Sequence, residues 1–322
     1  MPGTSDNYGH QRAVIDVTSP KNVIASIGHT PLLKLTKGAE RLPAGVEVYA
    51  KGEHLNPGGS VKDRAAYAMI VDGLCSGKLT RNKIILDATS GNTGIAYAMI
   101  GSALGYQVAV CLPANASPER KRILRAYRAQ IIETDPLQST DGAQAYAKML
   151  ALQSPEKYFN PDQYNNDANW RAHYESTAPE LWQQTGGRIT HFVAGLGTSG
   201  TFIGTARRLK ELKPTLRAIA LQPDSPLHGI EGVKYLPTAL VPGIYDPSVA
   251  DEQVEVSTED AQRTCRLLAR DEGLFVGVSS GANVFAALRL ARTLPEGSVV
   301  VTILCDTGTR YLHDSFWDEV EV

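Results

Sequence analysis

Short apolar runs and longer mixed stretches alternate along almost the whole of this chain. The runs at 46–50, 83–88, 107–112, 129–133, 191–194, 217–221 and 299–304 are rich in Val and Ile. Strands buried on both faces carry that composition, so these runs predict strands. Between them the sequence predicts helices over 95–104, 118–127, 142–152, 178–184 and 258–270. Ser117 followed by Pro118 is a helix start, a cap and then a first-turn proline. Thr258 and Gly273 bracket another helix. The alternation predicts an α/β fold with mostly parallel sheets.

The stretch SPEKYFNPDQYNNDAN, residues 154–169, is rich in Pro, Asn and Asp. It predicts a seam, and hence two domains with a cleft between them. Each domain is expected to be a mostly parallel twisted sheet with flanking helices.

Composition changes this picture little. The chain has 322 residues, with 32 Lys and Arg against 34 Asp and Glu, a formal net charge of −2. Such a balance gives no reason to expect nucleic acid or an anionic membrane as partner. No charge occurs from Ala88 to Pro118, but Gly91, Asn92, Gly94, Gly101, Gly105 and Gln107 break that run. It predicts a buried helix followed by a buried strand, not a membrane span. The opening MPGTSDNYGHQR has no apolar core; it predicts a loose arm and no signal peptide. Cys75, Cys111, Cys265 and Cys305 show no C-x-x-C spacing and read as thiols in a reducing cytoplasm. The seven histidines show no metal-ligand spacing, so no metal site is expected.

Four polar turns carry the candidate chemistry. In NPGGSVKDR, Ser60 is a candidate helix cap with Asp63 in the capping-box position. Lys62 then sits in the first helical turn, whose field disfavours a second cation. That field, with some burial, would lower the amine's pKa and make it a nucleophile; the plain alternative is a surface lysine. TSGNTG follows the strand at 83–88 and opens a helix, a nest suited to a carboxylate or simply a capped turn. GLGTSGTFIG matches the dinucleotide fingerprint through Gly195, Gly197 and Gly200. Such a site also needs an acid at the next strand end; Asp224 lies past that end, beyond Pro223. The hydroxyls of Thr198, Ser199 and Thr201 suit a terminal monophosphate better. VGVSSGAN places Ser279 and Ser280 before a further helix. A lysine nucleophile, a carboxylate nest and a monophosphate cup together suggest pyridoxal 5′-phosphate acting on an amino acid.

These motifs, followed by CDTGTRYL, resemble the tryptophan-synthase-β-like, fold type II pyridoxal phosphate enzymes. IGHTPLLKL, QQTGGRITHFV and LPTALVPGIYDPS extend the resemblance to the cysteine synthases, or O-acetylserine sulfhydrylases, and to their B branch, over about residues 27–312. It implies that Lys62 holds the cofactor as a Schiff base and moves protons. It implies Asn92 on the cofactor's ring oxygen, Gly197, Thr198, Ser199, Gly200 and Thr201 on its phosphate, and Ser279 at its ring nitrogen, with Ser280 the near alternative. Thr89, Ser90, Gly91 and Thr93, with Gln163, would bind the substrate carboxylate. The implied cofactor site is the cleft between a larger domain, 1–54 and 162–322, and a smaller mobile one, 55–161.

The implied activity is β-replacement: O-acetyl-L-serine and sulfide give L-cysteine and acetate through an α-aminoacrylate. Thiosulfate is an alternative sulfur donor. The implied partners are a second copy of the chain and, as a candidate, a serine acetyltransferase. Cystathionine β-synthase, an O-phosphoserine sulfhydrylase, a dehydratase and a nicotinamide-dependent dehydrogenase are the alternative readings. The stretch 167–171, Glu175 and Ala178 depart from the B pattern, and Ser199 stands where threonine is common. Lys234 is a candidate to meet a charged leaving group.

Overall fold

The computed structural model describes residues 22–40, 42–89 and 91–319. The expected N-terminal arm and Ser90 lie outside the described residues. Every Val- and Ile-rich run forms a strand; most are buried on both faces, whereas the run at 129–133 becomes an edge strand that is only partly buried. In β7 (His191–Gly195), Phe192 and Ala194 join one apolar cluster while Val193 joins the cluster on the opposite face.

The strands form two sheets. The six-stranded sheet has the order β1-β2-β10-β7-β8-β9. Its members are β1 (Leu32–Lys34), β2 (Glu47–Lys51), β7, β8 (Arg217–Pro223), β9 (Glu252–Val256) and β10 (Val299–Ile303). Only the pairing of β1 with β2 is antiparallel. The second sheet has the order β5-β4-β3-β6, all parallel, from β3 (Ile84–Ala88), β4 (Val108–Pro113), β5 (Gln130–Thr134) and β6 (Tyr158–Phe159).

The helices are α1 (Lys62–Cys75), α2 (Asn92–Leu104), α3 (Pro118–Ala126), α4 (Ser139–Gln153), α5 (Asp167–Ala172), α6 (Ala178–Gln184), α7 (Gly200–Leu212), α8 (Thr258–Glu272) and α9 (Val278–Ala291). The uncharged stretch becomes α2, buried from Thr93 to Gly101, and β4, buried throughout. No helix among the described residues is long and apolar enough to cross a membrane.

Ser117 caps α3 as expected, accepting from the Arg120 N–H. The start of α8 needs a correction. Ser257, not Thr258, is the cap; its backbone is extended and its hydroxyl accepts from the Asp260 N–H. Strands β1, β6 and β9 lack the apolar signature for physical reasons. The first two are three and two residues long, and β9 is an edge strand whose EQVEV sequence keeps mainly polar residues in solvent. A five-residue π-helical segment, His173–Thr177, joins α5 to α6.

Candidate active site

Strands β3, β7 and β10 deliver their C-terminal turns to one cavity. Asn92 follows β3, Gly197, Thr198 and Ser199 follow β7, and Cys305 follows β10. Lys62 and Ser279 enter the same walls from the starts of α1 and α9.

At Lys62 the expected capping box does not form. Val61 flanks α1 in helical conformation, and Ser60 Oγ lies 3.3 Å from the Lys62 N–H. Asp63 turns back instead to accept from the Gly58 N–H at 2.5 Å. The tight glycine turn explains this: a Cβ on Gly58 would stand 2.4 Å from Asp63 Oδ1, so the carboxylate meets Gly58 first. Burial holds the Lys62 amine below the ordinary lysine range, against the opposing pull of Cys305 and Asp306. Burial likewise raises the Cys305 thiol, to about 11. Burial thus works against the charged form of both groups.

The turn after β7 packs closely against its neighbours, which is why it needs glycines. A Cβ on Gly197 would fall 2.0 Å from the Gly232 carbonyl oxygen, and one on Gly200 2.0 Å from Asn169 Oδ1. Ser199 has φ of 67°, the left-handed region, which turns the chain sharply into α7. Its hydroxyl donates to the Thr198 carbonyl at 2.6 Å. The first N–H groups of α7 have no partner within the helix. Those N–H groups, with the hydroxyls of Thr198 and Thr201, form a donor set that fits a phosphate. Asn169 braces the turn, donating to Thr198 Oγ1 at 3.1 Å and to the Gln163 carbonyl at 2.7 Å. His173, from the π-helical segment, sits 3.3 Å from Thr201 Oγ1 and 2.9 Å from Thr177 Oγ1. Burial lowers its pKa to about 3, so it serves as a neutral partner.

Thr89, Gly91, Thr93 and Gln163 meet at the neighbouring turn. Thr89 Oγ1 accepts from the Gly91 N–H at 2.9 Å and the Gly94 N–H at 3.2 Å. Thr93 donates to Gln163 Oε1 at 2.8 Å, and Gln163 Nε2 donates to the Ala88 carbonyl at 2.5 Å. The Asn92 and Thr93 N–H groups open the first turn of α2, where no intrahelical acceptor exists. Asp87 lies beneath, taking the Tyr97 hydroxyl at 2.9 Å; burial raises its pKa to about 7.

The two serines of α9 divide clearly. Ser280 is fully buried, and its Oγ accepts from the Cys305 N–H at 2.8 Å. Ser279 lines the cavity. Lys234 is not free: its Nζ is 2.8 Å from Asp141 Oδ1 and 3.1 Å from the Leu240 carbonyl. Arg120 pairs with Glu231 nearby. His173 and Arg120 carried no sequence signal as site residues; Asn169 lay in the stretch 167–171, and Asn283, which lines the cavity and accepts from the Gly195 N–H at 2.9 Å, closed the VGVSSGAN motif without a role of its own. Arg310 and Asp306 lay inside a motif noted only for its resemblance.

A buried lysine amine, a phosphate-type donor set and a hydroxyl at a helix start line one cavity of an α/β frame, a set of groups suited to lysine-bound pyridoxal phosphate. The residues fit the group. The protein-family model described as pyridoxal-phosphate dependent enzyme matches residues 23–306, and the chain belongs to that family. The dinucleotide alternative is thereby set aside. The chain is 48% identical over 303 residues to a cysteine synthase of Aquifex aeolicus, covering 93% of each. It is 44% identical over 295 residues to cysteine synthase B of Escherichia coli, covering 91% of this chain and 95% of that one. A solved structure of an O-acetylserine dependent cystathionine β-synthase from Helicobacter pylori superposes with a TM-score of 0.87 at 39% identity. That match covers 92% of this chain and 98% of the other.

Proposed function

We propose that this enzyme makes L-cysteine by β-replacement, joining sulfide to Cβ of O-acetyl-L-serine and releasing acetate. The observation that carries the reading is the buried Lys62 amine, with its lowered pKa, in one cavity with Asn92, the Gly197–Thr201 turn and Ser279. The similarity to cysteine synthases over nearly the whole chain supports it.

Bound at Lys62, pyridoxal phosphate supplies an aldehyde for the substrate amine and a ring that takes up the electrons left at Cα. The protein's residues do the rest. The turn at Gly197, Thr198, Ser199, Gly200 and Thr201 anchors the phosphate. Thr89, Gly91, Thr93 and Gln163 orient the substrate carboxylate against the free N–H groups of α2. Lys62, whose burial lowers its pKa, takes the Cα proton and later returns it. Acetate leaves Cβ with its bonding electrons, and sulfide then forms the new carbon–sulfur bond. Ser279 presents a neutral hydroxyl to the ring nitrogen, which favours loss of a β-substituent over transamination. Asn92 donates to the ring oxygen. Closure of the smaller unit over the carboxylate would exclude water.

Lys62→Ala is expected to abolish both the visible absorbance of the bound cofactor and turnover. Undiminished turnover would refute the assignment. A second reading makes an amino-acid thiol such as homocysteine the acceptor, as the Helicobacter pylori structure's name states for that protein. Steady-state rates with sulfide against homocysteine, and with O-acetylserine against O-phosphoserine, separate these readings. We further propose a cytoplasmic homodimer, with a serine acetyltransferase as candidate partner. Four unpaired cysteines fit a reducing compartment, and the dimer rests on the family resemblance. Sedimentation of the pure protein, alone and with the acetyltransferase, tests both associations.

A further inference from the structure

The side-chain amide of Asn92 is held from both ends by partners of opposite kind. Its Oδ1 accepts from the Arg310 guanidinium. Its Nδ2 donates to Asp306 Oδ2 at 2.7 Å. A guanidinium only donates and a carboxylate only accepts, so this pair fixes which end of the amide is oxygen. One Nδ2 hydrogen goes to Asp306. The other remains for the cavity that Asn92 and Lys62 both line.

Arg310 itself has little freedom. It is 3% exposed and lies in the short helical turn Gly308–Tyr311. It also donates to the Gly58 carbonyl, in the turn that leads to Lys62. A Cβ on Gly59 would stand 2.9 Å from its Nη2. The chain beneath is zipped to the same turn: Val61 N–H donates to the Cys305 carbonyl at 2.8 Å and Thr307 N–H to the Gly59 carbonyl at 3.2 Å. Asp306 is fully buried and takes a second donor, the Tyr311 hydroxyl, at 2.7 Å.

We propose that Arg310 is a positioning residue: with Asp306 it locks the Asn92 amide so that an N–H, never the oxygen, faces the cofactor's ring oxygen, and it registers that amide to the Lys62 turn through Gly58. The inference rests on the cofactor site described above. Without Arg310 the amide is held at one end only, by Asp306, and its remaining N–H loses its fixed aim at the ring oxygen.

The test is a double-mutant cycle on the holoenzyme, read as pyridoxal phosphate dissociation constant and as the visible absorption and circular dichroism of the bound cofactor. Asn92→Ala and Arg310→Met are each expected to weaken cofactor binding about tenfold and to shift the visible band, as loss of one strong hydrogen bond would. The double variant is expected to be no worse than either single one. Losses that multiply, or a parent-like band in Arg310→Met, would overturn the proposal. Should Arg310→Met fail to fold, Arg310→Lys carries the test. It keeps the charge but lacks the two-pronged reach, and should show a smaller loss that disappears in the Asn92→Ala background. Parent-like affinity and spectrum in Arg310→Lys would overturn the proposal equally. The parent is measured first: absence of a visible band, or borohydride tagging of a lysine other than Lys62, sinks the cofactor reading itself and this inference with it.

Discussion

Thr93 donates its hydroxyl to Gln163 Oε1 at 2.8 Å, joining the start of α2 to the segment that leaves β6. Both side chains are buried, and Gln163 also holds the Ala88 carbonyl and lends its own carbonyl to Asn169. Gln163 therefore links the proposed carboxylate turn to the phosphate turn. Gln163→Ala is expected to lower kcat/KM for O-acetyl-L-serine about 100-fold, the loss of about 2–3 kcal/mol of charge-assisted binding. The visible cofactor band should persist. Rapid-mixing spectra of the first half-reaction check this; an unchanged rate and KM would remove Gln163 from the substrate site.

The two glycines of the phosphate turn differ in what they protect. A Cβ on Gly197 meets a backbone carbonyl, that of Gly232, which cannot swing aside. A Cβ on Gly200 meets the Asn169 side chain, which can move only by giving up Thr198 and the Gln163 carbonyl. Gly197→Ala is therefore expected to cost more cofactor affinity than Gly200→Ala, about 100-fold against about tenfold, since overpacking costs about 1–3 kcal/mol. Gly200→Ala should also raise KM for the amino-acid substrate, through Gln163. Equilibrium dialysis of pyridoxal phosphate gives the ranking; the reverse order would contradict this account.

Close to Lys62, Arg64 lies buried between Glu53 and Glu180, at 2.8 and 2.7 Å. Lys51, also wholly buried, reaches Glu180 at 2.6 Å. Burial alone would raise the Glu180 carboxyl, but hydrogen bonding to Arg64 and its charge, then Lys51, outweigh it and lower the pKa to about 2. A carboxylate depressed by folding contributes its full stability above its unfolded value, near 4.5, and loses it as pH falls from there toward 2. Urea unfolding midpoints should therefore decline steeply below about pH 4.5 in the parent and less steeply in Glu180→Gln. Arg64→Met leaves the Glu53 carboxylate buried without its cation, while Glu180 keeps Lys51, and should cost about 3–5 kcal/mol at pH 7. Parallel acid profiles for parent and Glu180→Gln would show that this cluster does not set acid stability.

The fold was legible wherever burial on two faces wrote a continuous apolar run, as in β4 or β10. It was not legible in β9, where an edge strand is built from polar residues, nor in β6, too short to carry a pattern. At the site, local composition marked Lys62, the turn holding Asn92, the serine pair 279–280 and the 197–201 turn as candidates, and the resemblance singled out Asn92 and Ser279 among them. Their braces left no such trace. Asn169 meets Thr198 from 29 residues away and Arg310 meets Asn92 from 218 away, and either contact exists only once the sheets are in place. Caps fell between these extremes. Ser257 differs from Thr258 by backbone angle alone, and Asp63 missed its capping-box role because a glycine turn offered a nearer donor.

Two ion pairs tie the loop after β8 to α3 and α4, across what we propose is the mouth of the cleft. Lys234 meets Asp141 of α4 at 2.8 Å, and Glu231 meets Arg120 of α3. Asp141 also accepts the Leu240 N–H at 3.0 Å, so one carboxylate holds that loop at two points. Lys234 is largely buried, whereas Asp141 is partly in solvent, and such a pair is worth roughly 1 kcal/mol and weakens with salt. Asp141→Asn keeps one acceptor oxygen for Leu240 and turns an amide NH2 toward Lys234, removing the ion pair together with its hydrogen bond. It is expected to raise KM for O-acetyl-L-serine about threefold to fivefold at low ionic strength while leaving kcat and the cofactor band unchanged. Raising salt should bring the parent toward the variant, because screening removes the same interaction. If the ratio of the two KM values stays constant from low to high salt, the Lys234–Asp141 pair does not hold the mouth of the cleft, and its charge has no part in substrate capture.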